Sequence, residues 1–450
     1  MKKIIALLLC LAMVLSLAAC SVETVEAPAA TEAPKAEAPA APEAAAPAAA
    51  TEISLMTYPI GNWGDQATVD ALMAKFEADT GIKVTVEYLT YTDGDDKGNT
   101  AIEGNKAPDL IMEGPERLVA NWGAKGLMVD LSDMIDATDK AEINAAALKA
   151  CYTADGSKCY EYPLVMTAHC MAINKTVFEA AGAMEHINAE AHTWKSVNDF
   201  FAAVEKVRVH TNKAVGAIAC AGQGGDQATR ALVTNLKGGT FTNPEHTQYT
   251  WNSAENIAAL QAIKDCAGIE FNAGIVGGDE IKLLRNGTLN MAFCWNIGEQ
   301  LKDDGAGAGK AGNGDEIMFM AFPSDSTPLL QGGIWGFGIF NNGNAEKIAA
   351  AKKFIKYMCD SEKTADAVKA ANYFAVRNKA EGADLSNVWA DNATMKEYNK
   401  LMPMLGDYYQ VTTNWAAART AWWNMLQDVG EGQDIAQVVA TWADQANGKK

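Results

Sequence analysis

The chain has 450 residues and a formal net charge of −19, with 56 acidic against 37 basic side chains. That balance argues against a nucleic-acid partner, because phosphate binding needs clustered Lys and Arg. Once the N-terminal segments are set aside, about 400 residues remain, more than a single hydrophobic core usually serves, so two lobes are expected.

Lys2 and Lys3 precede an apolar run over residues 4–17. It is too short to span a bilayer comfortably and is shaped like the core of a secretory signal. It ends Leu17-Ala18-Ala19-Cys20, which resembles a bacterial lipobox. The resemblance implies a signal peptide over residues 1–19, a lipidated Cys20, and a chain held at the extracytoplasmic face of the cell membrane without spanning it. Residues 20–50 are mostly Ala and Pro, and Pro28, Pro34, Pro39, Pro42 and Pro47 interrupt every candidate helix. This composition buries no core and reads as a hydrated tether.

Residues 51–58 alternate as a strand. Over residues 65–80, Val69, Leu72, Met73 and Phe76 recur at helical spacing, Gly81 closes that helix, and residues 82–88 return as a strand. The unit is a βαβ crossover of right-handed sense. Asp93-Gly-Asp-Asp-Lys-Gly98 begins like a calcium loop, but Lys97 stands at a ligand position and Gly104 where a bidentate Glu is needed, so it reads as a surface loop.

In Ala107-Pro-Asp-Leu-Ile-Met-Glu-Gly-Pro-Glu-Arg117, Pro108 fits only a strand's start, and Leu110, Ile111 and Met112 run apolar as in a strand covered on both faces. Gly114 breaks the strand, and Pro115 and Glu116 open a helix whose buried stripe is Leu118, Val119 and Trp122. Ligands of open α/β sheets sit beyond the carboxyl ends of strands, where Glu113, Glu116 and Arg117 stand. Trp63, between the first strand and its helix, is expected to face the same crevice.

Asp155-Gly156 makes a hairpin in which Cys159 opposes Tyr152, so a Cys151–Cys159 disulfide would be strained. Seven cysteines follow Cys20, an odd number at irregular spacing without CxxC pairs. That suits small buried residues better than a disulfide framework or a zinc site. Thr193 caps a helix running to Val207, and residues 217–221 form a short strand ending in the polar run Gly222-Gln-Gly-Gly-Asp-Gln227. Residues 253–268 read as a helix. Gly307-Ala-Gly-Lys-Ala-Gly312 formally matches a dinucleotide fingerprint but follows no apolar strand and opens no helix, so it reads as a loop. The glycines of Gly332-Gly-Ile-Trp-Gly-Phe-Gly-Ile339 permit close backbone approach, and residues 345–358 follow as a helix. Trp415, Trp422 and Trp423 share one predicted helix.

The Ala107-Pro-Asp-Leu-Ile run, Trp122-Gly-Ala-Lys-Gly-Leu-Met and Asp130-Leu-Ser resemble the family 1 extracellular solute-binding proteins of ABC importers. Further similar segments follow the family's order. They are Asp79-Thr-Gly-Ile-Lys-Val-Thr-Val, Tyr162-Pro163, Ile173-Asn-Lys175, Thr193-Trp-Lys-Ser-Val, residues 332–339 and Thr413-Asn-Trp-Ala-Ala-Ala-Arg419. Almost all of the chain after the tether is covered. The resemblance implies an α/β, two-lobed periplasmic-binding-protein fold of class II, each lobe a mixed sheet flanked by helices and joined by hinge crossings. Lobe 1 would take residues 51–165 and 327–373, and lobe 2 residues 168–322 and 377–448. To Trp63, Glu113, Glu116 and Arg117 it adds Asp226, Trp295, Trp335 and Trp415 as ligand contacts, with Arg419 structural, and His169, between the segments of the first crossing, reads as a ligand contact or a satisfied buried histidine. In the family the aromatic near Trp295 falls a residue or two later.

The function implied is capture of a sugar, an oligosaccharide above all, for a two-subunit membrane permease. It would be performed by a monomer with no catalytic group, cofactor or metal. Indoles match the C–H faces of sugar rings and planar acids match their hydroxyls. A secreted glycan-acting hydrolase using paired carboxylates is the alternative, although HExxH and GxSxG are absent. A chemosensory or adhesion lipoprotein of the same fold differs only in its partner.

Overall fold

The computed structural model describes residues 51–90, 93–222 and 225–449. The signal, Cys20 and tether readings lie outside the described residues. Eleven strands carry the architecture: β1 (Glu52–Thr57), β2 (Lys83–Tyr88), β3 (Leu110–Glu113), β4 (Tyr162–Ala168), β5 (Cys170–Asn174), β6 (Gly216–Ala219), β7 (Ile269–Asn272), β8 (Met291–Trp295), β9 (Ile317–Met320), β10 (Gly332–Ile339) and β11 (Phe374–Ala375). A six-stranded mixed sheet has the order β11-β4-β10-β3-β1-β2. In it β1 runs parallel to β2 and β3, while β10 lies antiparallel to both β3 and β4. A second, antiparallel sheet has the order β8-β5-β9, and β6 pairs with β7 in parallel.

Two hydrophobic cores form around these sheets. The first gathers Ile53, Phe76, Leu110, Trp122, Phe337 and Phe354, and the second Ile173, Phe200, Leu232, Phe293, Phe319 and Trp422. Along β4, Leu164 and Val165 belong to the first core, Met166 and Ala168 to the second.

Local sequence explains these elements. Helix α1 (Gln66–Thr80) starts where Asp65 accepts from the Thr68 amide, buries Val69, Leu72, Met73 and Phe76, and stops at Gly81 with φ 73°. After β3, Pro115 opens a single helical turn that continues as the wider turn Leu118–Gly123, which buries Leu118, Val119 and Trp122 as expected. Glycines let β10 pass close to its neighbours. A Cβ on Gly332 would lie 1.8 Å from the Thr167 carbonyl oxygen, and one on Gly336 2.1 Å from that of Tyr162.

The structure corrects several local readings. Asp93–Gly98, expected as a surface loop, instead opens helix α2 (Gly94–Glu103), with Asp95 and Asp96 in its first turn near the positive end of the dipole. Helix α3 (Val197–Thr211) is capped by Ser196, whose hydroxyl accepts from the Asp199 amide, and Thr193 instead pairs with Asn188 in a short ladder. The 155–156 hairpin sets Tyr152 opposite Cys159 as its turn predicts, and all seven cysteines from Cys151 to Cys359 are free thiols.

Candidate functional site

Because β3 is buried to its last residue, its end delivers Glu113 as a carboxylate exposed by only 1%. Arg117 Nη1 pairs with Glu113 Oε1 at 3.0 Å, and the same guanidinium grips Asp95 on α2 at 2.7 and 3.1 Å. Its carbon also lies 4.9 Å from the centre of the Tyr58 ring. Despite that ion pair, burial and the neighbouring Glu116 push the Glu113 carboxyl up to about 8. Burial alone would raise Asp95 as well, but Arg117 and the Tyr58 hydroxyl, 2.7 Å away, hold it below the usual range. Glu116 accepts from the Tyr408 hydroxyl at 2.7 Å, a bond from the helical turn after β3 to a side chain of the second core.

In the second core, helix α4 (Gly225–Lys237) carries Asp226 in its first turn. This carboxylate is fully buried between Arg230 and Arg419, with Arg419 donating at 2.9 and 3.1 Å. Burial would raise its pKa, and the two guanidiniums outweigh that and hold it well below the carboxylate range. Trp415 opens helix α5 (Trp415–Gly430) half-buried, with the Arg230 guanidinium 4.7 Å over its ring and Tyr409 edge-on at 5.9 Å. Asp226 thereby organises the arginine beneath Trp415, and Arg419 holds the same carboxylate from α5.

Between the two groups lies a seam. Gln227 and Gln410 each donate a side-chain amide to the Gly332 carbonyl at 3.1 Å, and the His169 amide donates to Gln331 at 2.6 Å. Burial pushes the His169 imidazole down to about 4, against the pull of Asp226, so it is neutral at pH 7. Trp335 stacks on Tyr373 at 4.8 Å and leans over Gly333, where a Cβ would meet its ring at 1.9 Å. Thr167, paired with Gly333, shares that sheet face with Trp335, and its buried hydroxyl has no hydrogen-bond partner.

Two expected contacts are interior rings instead. Trp63 is fully buried in the turn Gly61–Gly64, edge-on to Phe337 at 5.3 Å, with its indole N–H donating to the Ala367 carbonyl. Trp295 is equally buried, its N–H satisfied by Gln300 at 2.9 Å and its ring covered by Arg285. Trp63 was placed by its position after a strand and Trp295 by the family resemblance, and both were claimed by packing because a nearby acceptor satisfies the indole.

Thr167, Glu161, Arg230 and Tyr408 were missed. Glu161 left a signal, since a charge directly before the apolar run of β4 has no solvent-facing position to occupy. Tyr408 left none, because its partner lies 292 residues away. A cavity of about 590 Å³ opens elsewhere, between Tyr152, Asp155 and His246, without touching these groups. Among the described residues no cluster of His, Cys, Asp and Glu could hold a metal ion.

A family model described as bacterial extracellular solute-binding protein matches residues 71–397. Solved structures share the fold. An ABC transporter solute-binding protein from Thermotoga lettingae bound with alpha-D-tagatose has 16% identity and a TM-score of 0.65, covering 88% of this chain and 99% of its own. The ABC substrate-binding protein of Listeria monocytogenes in complex with cycloalternan has 19% identity and a TM-score of 0.63, covering 89% and 100%. The cyclic alpha-maltosyl-1,6-maltose binding protein of Arthrobacter globiformis has 17% identity and a TM-score of 0.67, covering 88% and 98%. A search of curated proteins finds no match. The architecture is thus the periplasmic-binding-protein fold, and at these identities likeness extends to the fold alone.

Proposed function

The chain belongs to the bacterial extracellular solute-binding protein family, and on that premise we propose that it is the extracytoplasmic receptor of an ABC importer that captures a carbohydrate in the seam and hands it to a two-subunit permease. The reading treats the two cores as lobes that hinge where the chain crosses near residues 163–172, 322–330 and 373–378. It also takes Cys20 as the lipid anchor and the receptor as a monomer.

The observation that carries it is the face shared by Thr167 and Trp335. A buried hydroxyl without a partner costs free energy until something bonds it, and beside it stands an indole, with Trp415 on the other core. A sugar supplies both complements, hydroxyls for Thr167 and an apolar ring face for the indoles. Glu116 and Tyr408, already bonded across the seam, act as the clasp that closes over the ligand.

Calorimetry over a panel of mono-, oligo- and cyclic saccharides and polyols tests the reading. At least one should bind, and Trp335→Ala should weaken it by about tenfold or more. Cleavage of a saccharide by the purified protein would favour the hydrolase alternative instead.

A further inference from the structure

Glu161 stands directly before β4, fully buried, and neither of its carboxylate oxygens has a hydrogen-bond partner. The charges that bear on it are those of Glu116 and Glu113, and both act, after burial, to keep it from ionising. Tyr408, buried in the second core, caps the partly exposed Glu116, and Glu161 and Glu113 complete the group of acids whose charges bear on its hydroxyl. Arg117 is the cation paired with this group, and its donors serve Glu113 and Asp95.

Protonation does not resolve the position of Glu161. It removes the charge but leaves a buried hydroxyl with nothing to donate to and a carbonyl with nothing to accept from. Internal rearrangement is also limited, because the charges that bear on Glu161 are those of carboxylates and add repulsion. What satisfies both oxygens is a compact donor with several N–H bonds and a positive charge, which describes an ammonium group. Tyr408 of the second core bonds Glu116, and the lobe opening of the proposed function would part that bond and admit the donor.

We propose that the ligand carries a protonated amine that docks against Glu161 and Glu113. The proposal rests on the carbohydrate reading above and narrows it to saccharides with a free amino group.

The test is calorimetry on the processed chain with glucosamine oligomers, their N-acetylated forms and glucose oligomers of the same length, with spermidine as an amine that is not a sugar. The glucosamine oligomer should bind about tenfold or more tighter than its N-acetylated form. Glu161→Gln, nearly isosteric, should erase that preference while leaving glucose-oligomer binding and the circular dichroism spectrum unchanged. Equal binding of amine and acetylated forms overturns the proposal and leaves the carbohydrate reading standing, as does a preference that survives Glu161→Gln. Spermidine binding without any saccharide binding supports the ammonium site and overturns the carbohydrate reading. Failure of every amine to bind overturns the proposal.

Discussion

Helix α5 carries, within two turns, a packing tryptophan and the one proposed to bind ligand. Trp415 and Trp422 are seven residues apart, so at about 100° per residue they lie about 20° from each other on one face. Trp422 is fully buried, with Phe241 at 5.3 Å and Trp251 at 5.5 Å, and its indole N–H donates to Thr229 at 2.9 Å. Truncating such a ring costs about 3–5 kcal/mol, and the lost hydrogen bond adds about 1. Trp415 is half-buried, and its principal contact is the Arg230 guanidinium at 4.7 Å, worth about 2 kcal/mol when desolvated. Trp422→Ala should therefore lower stability by about 2–4 kcal/mol more than Trp415→Ala. Guanidinium unfolding followed by far-ultraviolet circular dichroism measures this without relying on the deleted fluorophores. In calorimetry with the bound saccharide, Trp415→Ala should lose about tenfold or more in affinity, and Trp422→Ala little in the fraction that remains folded. Equal destabilisation by the two variants, or unchanged affinity in Trp415→Ala, would refute the assignment of this face.

Asp226→Asn leaves Arg230, exposed by 1%, without its charge partner, and should cost about 3–5 kcal/mol in the same unfolding assay. A loss below about 1 kcal/mol would mean that the two arginines find other partners. Glu113 and Glu280, both pushed up to about 8 by burial, bind protons more tightly folded than unfolded. Their contribution is complete below the ordinary carboxyl value of 4.5 and is lost as pH rises through about 8, so the unfolding midpoint should fall between pH 5 and about 8.5. Glu113→Gln should flatten that slope, and a slope unchanged by the substitution sinks the attribution. Asp226 acts in the opposite sense, its contribution present above its ordinary range and lost as pH falls through its depressed value. Cys20→Ala should release the protein from the membrane fraction, and retention of that variant on membranes contradicts the lipid anchor.

The elements legible in the sequence were those whose causes are local. The spacing of Val69, Leu72, Met73 and Phe76 and the stop at Gly81 gave α1, and the apolar run with Pro108 and Gly114 gave β3. The polar residues that end β3 were placed correctly beside one another for the same reason. What could not be read was set by partners distant along the chain. Trp63 turned inward because the Ala367 carbonyl, on a helix 304 residues later, offers its indole an acceptor. Helix α2 was hidden by two glycines and a run of acids with weak helical propensity, and its Asp95 is held by Arg117 and Tyr58, partners its own sequence does not name. The seam contacts of Gln227 and Gln410 at Gly332 likewise depend on β10 returning beside β4.

The free thiols have a practical bearing on how closure would be observed. Six of the seven described cysteines are buried, Cys266 is partly so, and burial pushes every one of them above its ordinary pKa. Few of them are thiolate at neutral pH, and the reagent that would alkylate one cannot reach most of them. A single cysteine introduced at an exposed position, Thr413 or Asp95 for example, would then react far faster than any of the seven described thiols. The described residues can therefore serve as their own silent background for a fluorophore, and a pair of such labels would report the distance between the two cores in real time without any of the seven described cysteines having to be removed first.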